Sequence, residues 1–208
     1  SGDGYTAHAC FLRPRSRGSI VLARADPRAD GRNEANWPGD ARGYLVRTAP
    51  RPDQPSVVGF FEQTLGYSFT PPPPTDFIVR TPFENLDLIA SGPQLDELQS
   101  KLESRHKIYK LREALQQLAS EYERIYIDTP PALNFYTRSA LMGASGCLIP
   151  FDCDDFSRQA LYTLLANVAE IRADHNPQLA VRGIVVNQFQ ARAKLPQQLV
   201  QALMDEGL

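Results

Sequence analysis

From Pro55 onward the sequence alternates short apolar runs with longer runs of helical period, a pattern that few folds accept. Three apolar runs dominate the second half: Ile125 to Ile127, Gly146 to Ile149, and Val181 to Val186. Amphipathic segments separate them. One lies around Tyr136 to Ala144, and a longer one carries Leu161, Leu164, Leu165, Val168 and Ile171 at helical spacing. Strands alternating with helices in this way predict βαβ units, an α/β fold and a mostly parallel sheet with helices on both faces. The three runs end in Asp128, Pro150 and Asn187. Right-handed crossovers put such ends along one edge of the sheet, where open α/β sheets bind ligands.

The elements upstream follow the same logic. Ser56 is a good N-cap for a helix carrying Val57, Phe60, Phe61, Thr64 and Leu65, and Gly66 ends it. Pro71 to Pro74 form a stiff extended spacer, read as a rigid internal loop; the alternative is a ligand for an aromatic groove. Phe77 to Val79 and Leu86 to Ile89 are short strand candidates. Leu95, Leu98 and Leu102 predict one helix, and Leu111, Leu115 and Leu118 a second from about Ile108. Lys101, Arg105, His106, Lys107, Lys110 and Arg112 cluster at their junction. With Glu97, Glu103 and Glu113 interleaved, the cluster reads as a solvated face, with an anion or DNA contact as the alternative. Ser157 or Asp155 is the expected cap of the long helix, and Pro196 opens a last one through Leu199, Leu203 and Met204.

Residues 1–54 are of another kind. They contain no lysine, while arginine recurs from Arg13 to Arg51 among scattered Gly and Pro. Ser19 to Ala23 and Tyr44 to Val46 are weak strand candidates, and the polar stretch between them has no sustained period. The expected organisation is therefore an atypical arginine-rich segment, 1–54, followed by an α/β domain, 55–208.

Composition narrows the function. A net charge of -2 argues against a broad nucleic-acid-binding surface. Cys10, Cys147 and Cys153 make an odd count without C-x-x-C spacing, as expected of unpaired thiols in a reducing compartment. No apolar run approaches the length that spans a bilayer, and no apolar h-region opens the chain. A cytoplasmic protein without a membrane anchor is expected.

The chemistry concentrates in Arg124-Ile-Tyr-Ile-Asp-Thr-Pro-Pro131, an apolar strand that delivers the carboxylate of Asp128 to a proline-forced turn. In nucleotide hydrolases a carboxylate there serves Mg²⁺, directly or through its water. Four segments in order carry a family resemblance: Thr81-Pro-Phe-Glu-Asn-Leu-Asp-Leu-Ile89, Tyr126-Ile-Asp-Thr-Pro-Pro-Ala132, Leu148-Ile-Pro150 and Gly183-Ile-Val-Val-Asn187. Together they resemble the ParA family of partition ATPases, deviant P-loop ATPases related to MinD. The match covers roughly residues 55–208. It implies ATP and Mg²⁺ as ligands. Asp128 matches the acid behind Mg²⁺ and the attacking water, the catalytic and metal-side residue. Thr129 to Ala132 match the switch that senses the γ-phosphate. Asn187 matches a position that contacts the adenine base. The resemblance also implies a homodimer, non-specific DNA binding and a centromere-binding partner protein, in the service of plasmid or chromosome segregation.

The resemblance has a gap. Phosphate binding in this family uses a Gly-rich loop with lysine, and this sequence has no Gly-Lys pair and no lysine before Lys101. Gly2-Asp-Gly4 is a poor substitute, and Ile20 to Pro27 only faintly echoes the family's next strand. The family's last strand and C-terminal helices also have no counterpart. A shifted reading frame or an incomplete gene is one expected origin of such an opening. The alternative function is then a degenerate or truncated ParA-like protein without ATPase activity, acting as an interaction module. A MinD-like membrane helix is not supported, because residues 196–208 carry Asp205 and Glu206 and no basic face.

Overall fold

The computed structural model describes residues 6–11, 19–23 and 54–207, apart from 82, 84, 93, 131, 188, 190 and 191. The strand candidate at Tyr44 to Val46 lies outside the described residues. Seven strands form one sheet: β1 (Thr6–Phe11), β2 (Ser19–Ala23), β3 (Val79–Arg80), β4 (Leu86–Ile89), β5 (Arg124–Thr129), β6 (Gly146–Asp152) and β7 (Ala180–Asn187). Their order is β3-β4-β2-β5-β1-β6-β7. β1 is parallel to both β5 and β6, and β6 is parallel to β7. β2 runs antiparallel to β4 and β5, and β3 antiparallel to β4. The α/β architecture expected from the alternation is the one found, with five of the seven strands pointing the same way and β2 and β3 reversed.

The helices are α1 (Val57–Leu65), α2 (Leu95–Ser104), α3 (Lys110–Leu118), α4 (Phe135–Gly143), α5 (Asp155–Asp174) and α6 (Lys194–Asp205). Ser56 caps α1 as expected, its hydroxyl accepting from the Gly59 amide, and Gly66 ends it. The cap of α5 needs a correction. It is Asp154, not Ser157 or Asp155: its carboxylate accepts from the Ser157 amide at 2.6 Å. Asp154 holds extended backbone at φ -137°, the geometry a cap requires. The strand expected over Phe77 to Val79 also shifts. Pro74–Phe77 form a 3-10 turn opened by a proline at its first position, and only Val79 and Arg80 pair.

Alternation along the strands sorts the sheet into two faces. Register puts Ile89, Ile127 and Cys147 on one face and Leu88, Tyr126, Asp128 and Leu148 on the other. The first face joins Ile125, Ile149 and Phe151 to the buried stripes of the helices in one continuous core. Leu102 of α2, Leu115 of α3 and Leu141 of α4 are fully buried there. Each such side chain contributes about 1.5–3 kcal/mol through burial. Phe61 of α1 locks onto Phe135 and Tyr136 of α4 edge-to-face, with centroids 5.9 and 5.3 Å apart.

β6 does not stop at Pro150 but runs on to Asp152. A proline is tolerated because β1 pairs with β6 only as far as Leu148. Beyond that point β6 pairs with β7 alone, so the missing N–H breaks no bond to β1.

Candidate functional site

β5 delivers Asp128 to the carboxyl-end edge. Burial alternates strictly along it, so Ile125, Ile127 and Thr129 face the core while Arg124, Tyr126 and Asp128 are half-buried on the opposite face. Asp128 lies opposite Cys10 of β1 on one side and Ser19 of β2 on the other. Thr129 follows, 1% exposed, opposite Phe11, the last residue of β1. The next seven residues, Leu12 to Gly18, include Arg13, Arg15 and Arg17 and lie outside the described residues.

The turn after Thr129 is fastened to the start of α4. Asn134 caps the helix by accepting from the Thr137 amide at 3.1 Å. The Thr137 hydroxyl, fully buried, reaches the carbonyls of Ala132 at 2.8 Å and Pro130 at 3.2 Å. One threonine thus holds both ends of the loop expected to act as a switch. Sequence reasoning missed Thr137. Its only local signal was the spacing Asn-x-x-Thr, a capping residue three positions before the group it caps.

Asn187 ends β7, opposite Asp152 at the end of β6. Its amide Nδ2 donates to Asp152 Oδ1 at 3.0 Å. Cys153 sits beside this pair, its Sγ 4.0 Å from the Asn187 carbonyl. Burial pushes the Cys153 thiol up, and the carboxylates of Asp152 and Asp154 push it further. Asp152 is the second residue that sequence reasoning missed.

Register fixes how far the two predicted regions stand apart. Asp128, Cys10, Leu148 and Gly183 form one level across β5, β1, β6 and β7, and Asn187 lies four residues beyond Gly183. That is roughly 13 Å along the strands and roughly 14 Å across them. Asp128 and Thr129 are therefore neighbours, and Asn187 stands on the same edge without touching them.

The donor set at Asp128 fits Mg²⁺. A carboxylate at a strand end offers the hard oxygen that Mg²⁺ takes, and Mg²⁺ typically relies on one or two carboxylates plus phosphates. No cluster of three or more His, Cys, Asp or Glu capable of caging a metal occurs among the described residues. The described residues do not include a Gly-rich cradle for phosphates. A different carboxylate, Asp87, is 4% exposed within β4; it accepts from the Tyr122 hydroxyl at 2.7 Å and pairs with Arg80. Its position in the core makes it part of the scaffold.

An α/β sheet with an acidic strand end on its carboxyl-end edge is shared with proteins of known structure. The cobyrinic acid a,c-diamide synthase of Mycobacterium smegmatis, solved with bound ATP analog and magnesium, superposes with a TM-score of 0.66 at 20% identity, over 97% of this chain and 70% of that one. A family model described as an AAA domain matches residues 71–181. The chromosome partitioning protein ParA of Myxococcus xanthus is 31% identical over 130 residues, 62% of this chain and 46% of that protein. ParA of Caulobacter vibrioides is 29% identical over 130 residues, 61% of this chain and 49% of that protein. The chain belongs to this AAA domain family and spans about half the length of the curated relatives it matches.

Proposed function

We propose that the chain is the ATP- and Mg²⁺-binding part of a ParA-like ATPase that serves DNA partition in the cytoplasm. Asp128 carries the reading: a half-buried carboxylate at the end of a central strand, on the ligand edge, within the segment that matches the family model. In this reading Asp128 holds Mg²⁺ and orients the attacking water. Thr129 and the loop tied down by Thr137 respond to the terminal phosphate. Asn187 meets the adenine base, and its separation from Asp128 is of the order an extended nucleoside triphosphate bridges. When bound, Mg²⁺ supplies charge neutralisation at the phosphates. The relatives named as chromosome partitioning proteins support a role in segregation, with a homodimer, non-specific DNA and a centromere-binding partner as its expected associates.

A second reading has its own observation. With no Gly-Lys pair and no lysine before Lys101, the chain fits an interaction module that keeps the scaffold without turning over ATP. One experiment separates the two. ATP binding and hydrolysis are measured with Mg²⁺, with and without DNA, for this chain and for Asp128→Ala. The enzyme reading expects Mg²⁺-dependent hydrolysis that falls about 10- to 100-fold in the variant. Absence of ATP binding sinks it and leaves the interaction module. Hydrolysis that Asp128→Ala does not alter sinks the role given to Asp128.

A further inference from the structure

Where the loop after Asp128 enters α4, a cleft of about 570 Å³ opens between the turn joining α2 to α3 and α4. Its size is that of small-ligand sites. We propose that this cleft binds a small amphipathic monocarboxylate, an apolar or aromatic body bearing one carboxylate.

The floor is apolar: Ile108, Leu133, Phe135 and Met142 line it, the last two buried. The rim carries a guanidinium. Arg138 of α4 and His106 of the turn both line the cleft and are exposed. Neither side chain has an ion pair among the described residues. An exposed arginine lining an apolar cleft suits a planar carboxylate attached to an apolar body. A carboxylate, Glu103, also lines the cleft and accepts from Gln99 at 3.0 Å. Beside one arginine and one glutamate, a single negative charge on the ligand is matched better than the two of a phosphate dianion.

The walls are built before any ligand arrives. The Ser139 hydroxyl, fully buried, donates to the Ile108 carbonyl at 2.7 Å and so pins the turn against α4. At the far end, the Tyr109 hydroxyl meets His175 Nδ1 at 2.8 Å, and Arg112 donates to the His175 carbonyl at 3.2 Å. The Arg112 guanidinium also lies 4.6 Å over the Tyr109 ring. These contacts occupy Arg112 and leave Arg138 as the arginine of the rim. His106 is held there at φ +52°, in the left-handed region that a non-glycine residue enters at a cost. The helix end would accept glycine at that position, so the imidazole is carried at the rim against backbone preference.

The test uses the full chain and methyl NMR, with 4-phenylbutyrate as probe and its methyl ester as the uncharged control. Expected are saturable shifts at the methyls of Ile108, Leu133 and Met142, with the ester weaker by about tenfold or more, as loss of a charge-assisted contact predicts. Arg138→Glu and the milder Arg138→Gln weaken the acid by at least about tenfold, whereas Lys101→Glu, outside the cleft, leaves it unchanged. Methyl dispersion confirms that each variant is folded. A tetrapeptide with a free C-terminal phenylalanine separates the sources of the carboxylate. Binding at least as tight as the acid assigns the site to a chain terminus, and weaker binding to a free metabolite. Equal binding of acid and ester overturns the proposal, as does an unchanged affinity in both Arg138 variants or no saturable shift below about 10 mM.

Discussion

Asp152 decides what Asn187 has left to offer. A carboxylate only accepts, so the Asn187 amide must present an N–H to it, and the carbonyl oxygen of that amide is turned elsewhere. The remaining acceptor suits an exocyclic amine such as that of adenine. Thr137 acts in the same way one strand-helix unit earlier. Its hydroxyl and the Asn134 cap hold Pro130 and Ala132, so the conformation of the loop beyond Asp128 is set from inside α4. Thr137→Val keeps the shape and removes the hydroxyl, leaving the Ala132 carbonyl without its donor. Urea denaturation is expected to show a loss of about 1–3 kcal/mol. An unchanged midpoint would mean that the loop does not depend on this residue.

Helix α4 is the element on which most of the molecule leans, and its end shows why. Gly143 faces α3 so closely that an added Cβ would lie 2.7 Å from Leu115 Cδ1 and 3.2 Å from the Arg112 Cα. The second contact is backbone and cannot swing aside. Gly143→Ala is expected to cost about 1–3 kcal/mol by forcing α3 and α4 apart, measured as a shift in the chemical-denaturation midpoint. At this scale much was legible beforehand. β4, β5, β6, β7 and the stripes of α1, α3 and α5 follow from apolar period, because each buries a face that the period announces. β1 was not legible. Thr6 to Phe11 has neither a sustained apolar run nor turn signals at both ends, and it is a strand because β5 and β6 flank it. The same reason hid the Asp152–Asn187 pair. Asp128 could be found from its own octapeptide, whereas a contact between the ends of two strands is set by inter-strand register, which no local stretch encodes. The cap of α5 failed for a smaller reason: Asp154, Asp155 and Ser157 are all capping residue types, and only backbone geometry chooses among them.

For the molecule as a whole, one phenol links alkaline pH to stability. The Tyr136 hydroxyl of α4 donates to the Leu95 carbonyl at the start of α2. Burial first, and then the charges of Asp96 and Glu103, hold its proton well above the ordinary tyrosine range. The folded state therefore favours the protonated phenol. That stabilisation is complete below the unfolded value near pH 10 and drains away as pH rises past it toward the folded value. Thermal midpoints followed by circular dichroism should fall between about pH 10 and pH 12, and Tyr136→Phe should flatten that fall. A slope unchanged by the substitution would assign the alkaline loss to other groups.

The position of β1 has a further consequence, for the order of events during synthesis. Thr6 lies opposite Arg124, 118 positions downstream, and the other neighbour of β1, β6, is made later still. A strand in the middle of the sheet thus leaves the ribosome long before either of its partners exists. Contacts so distant in sequence close slowly, and an unpaired strand invites foreign pairing while it waits. The centre of this fold is assembled around a strand made well before its partners.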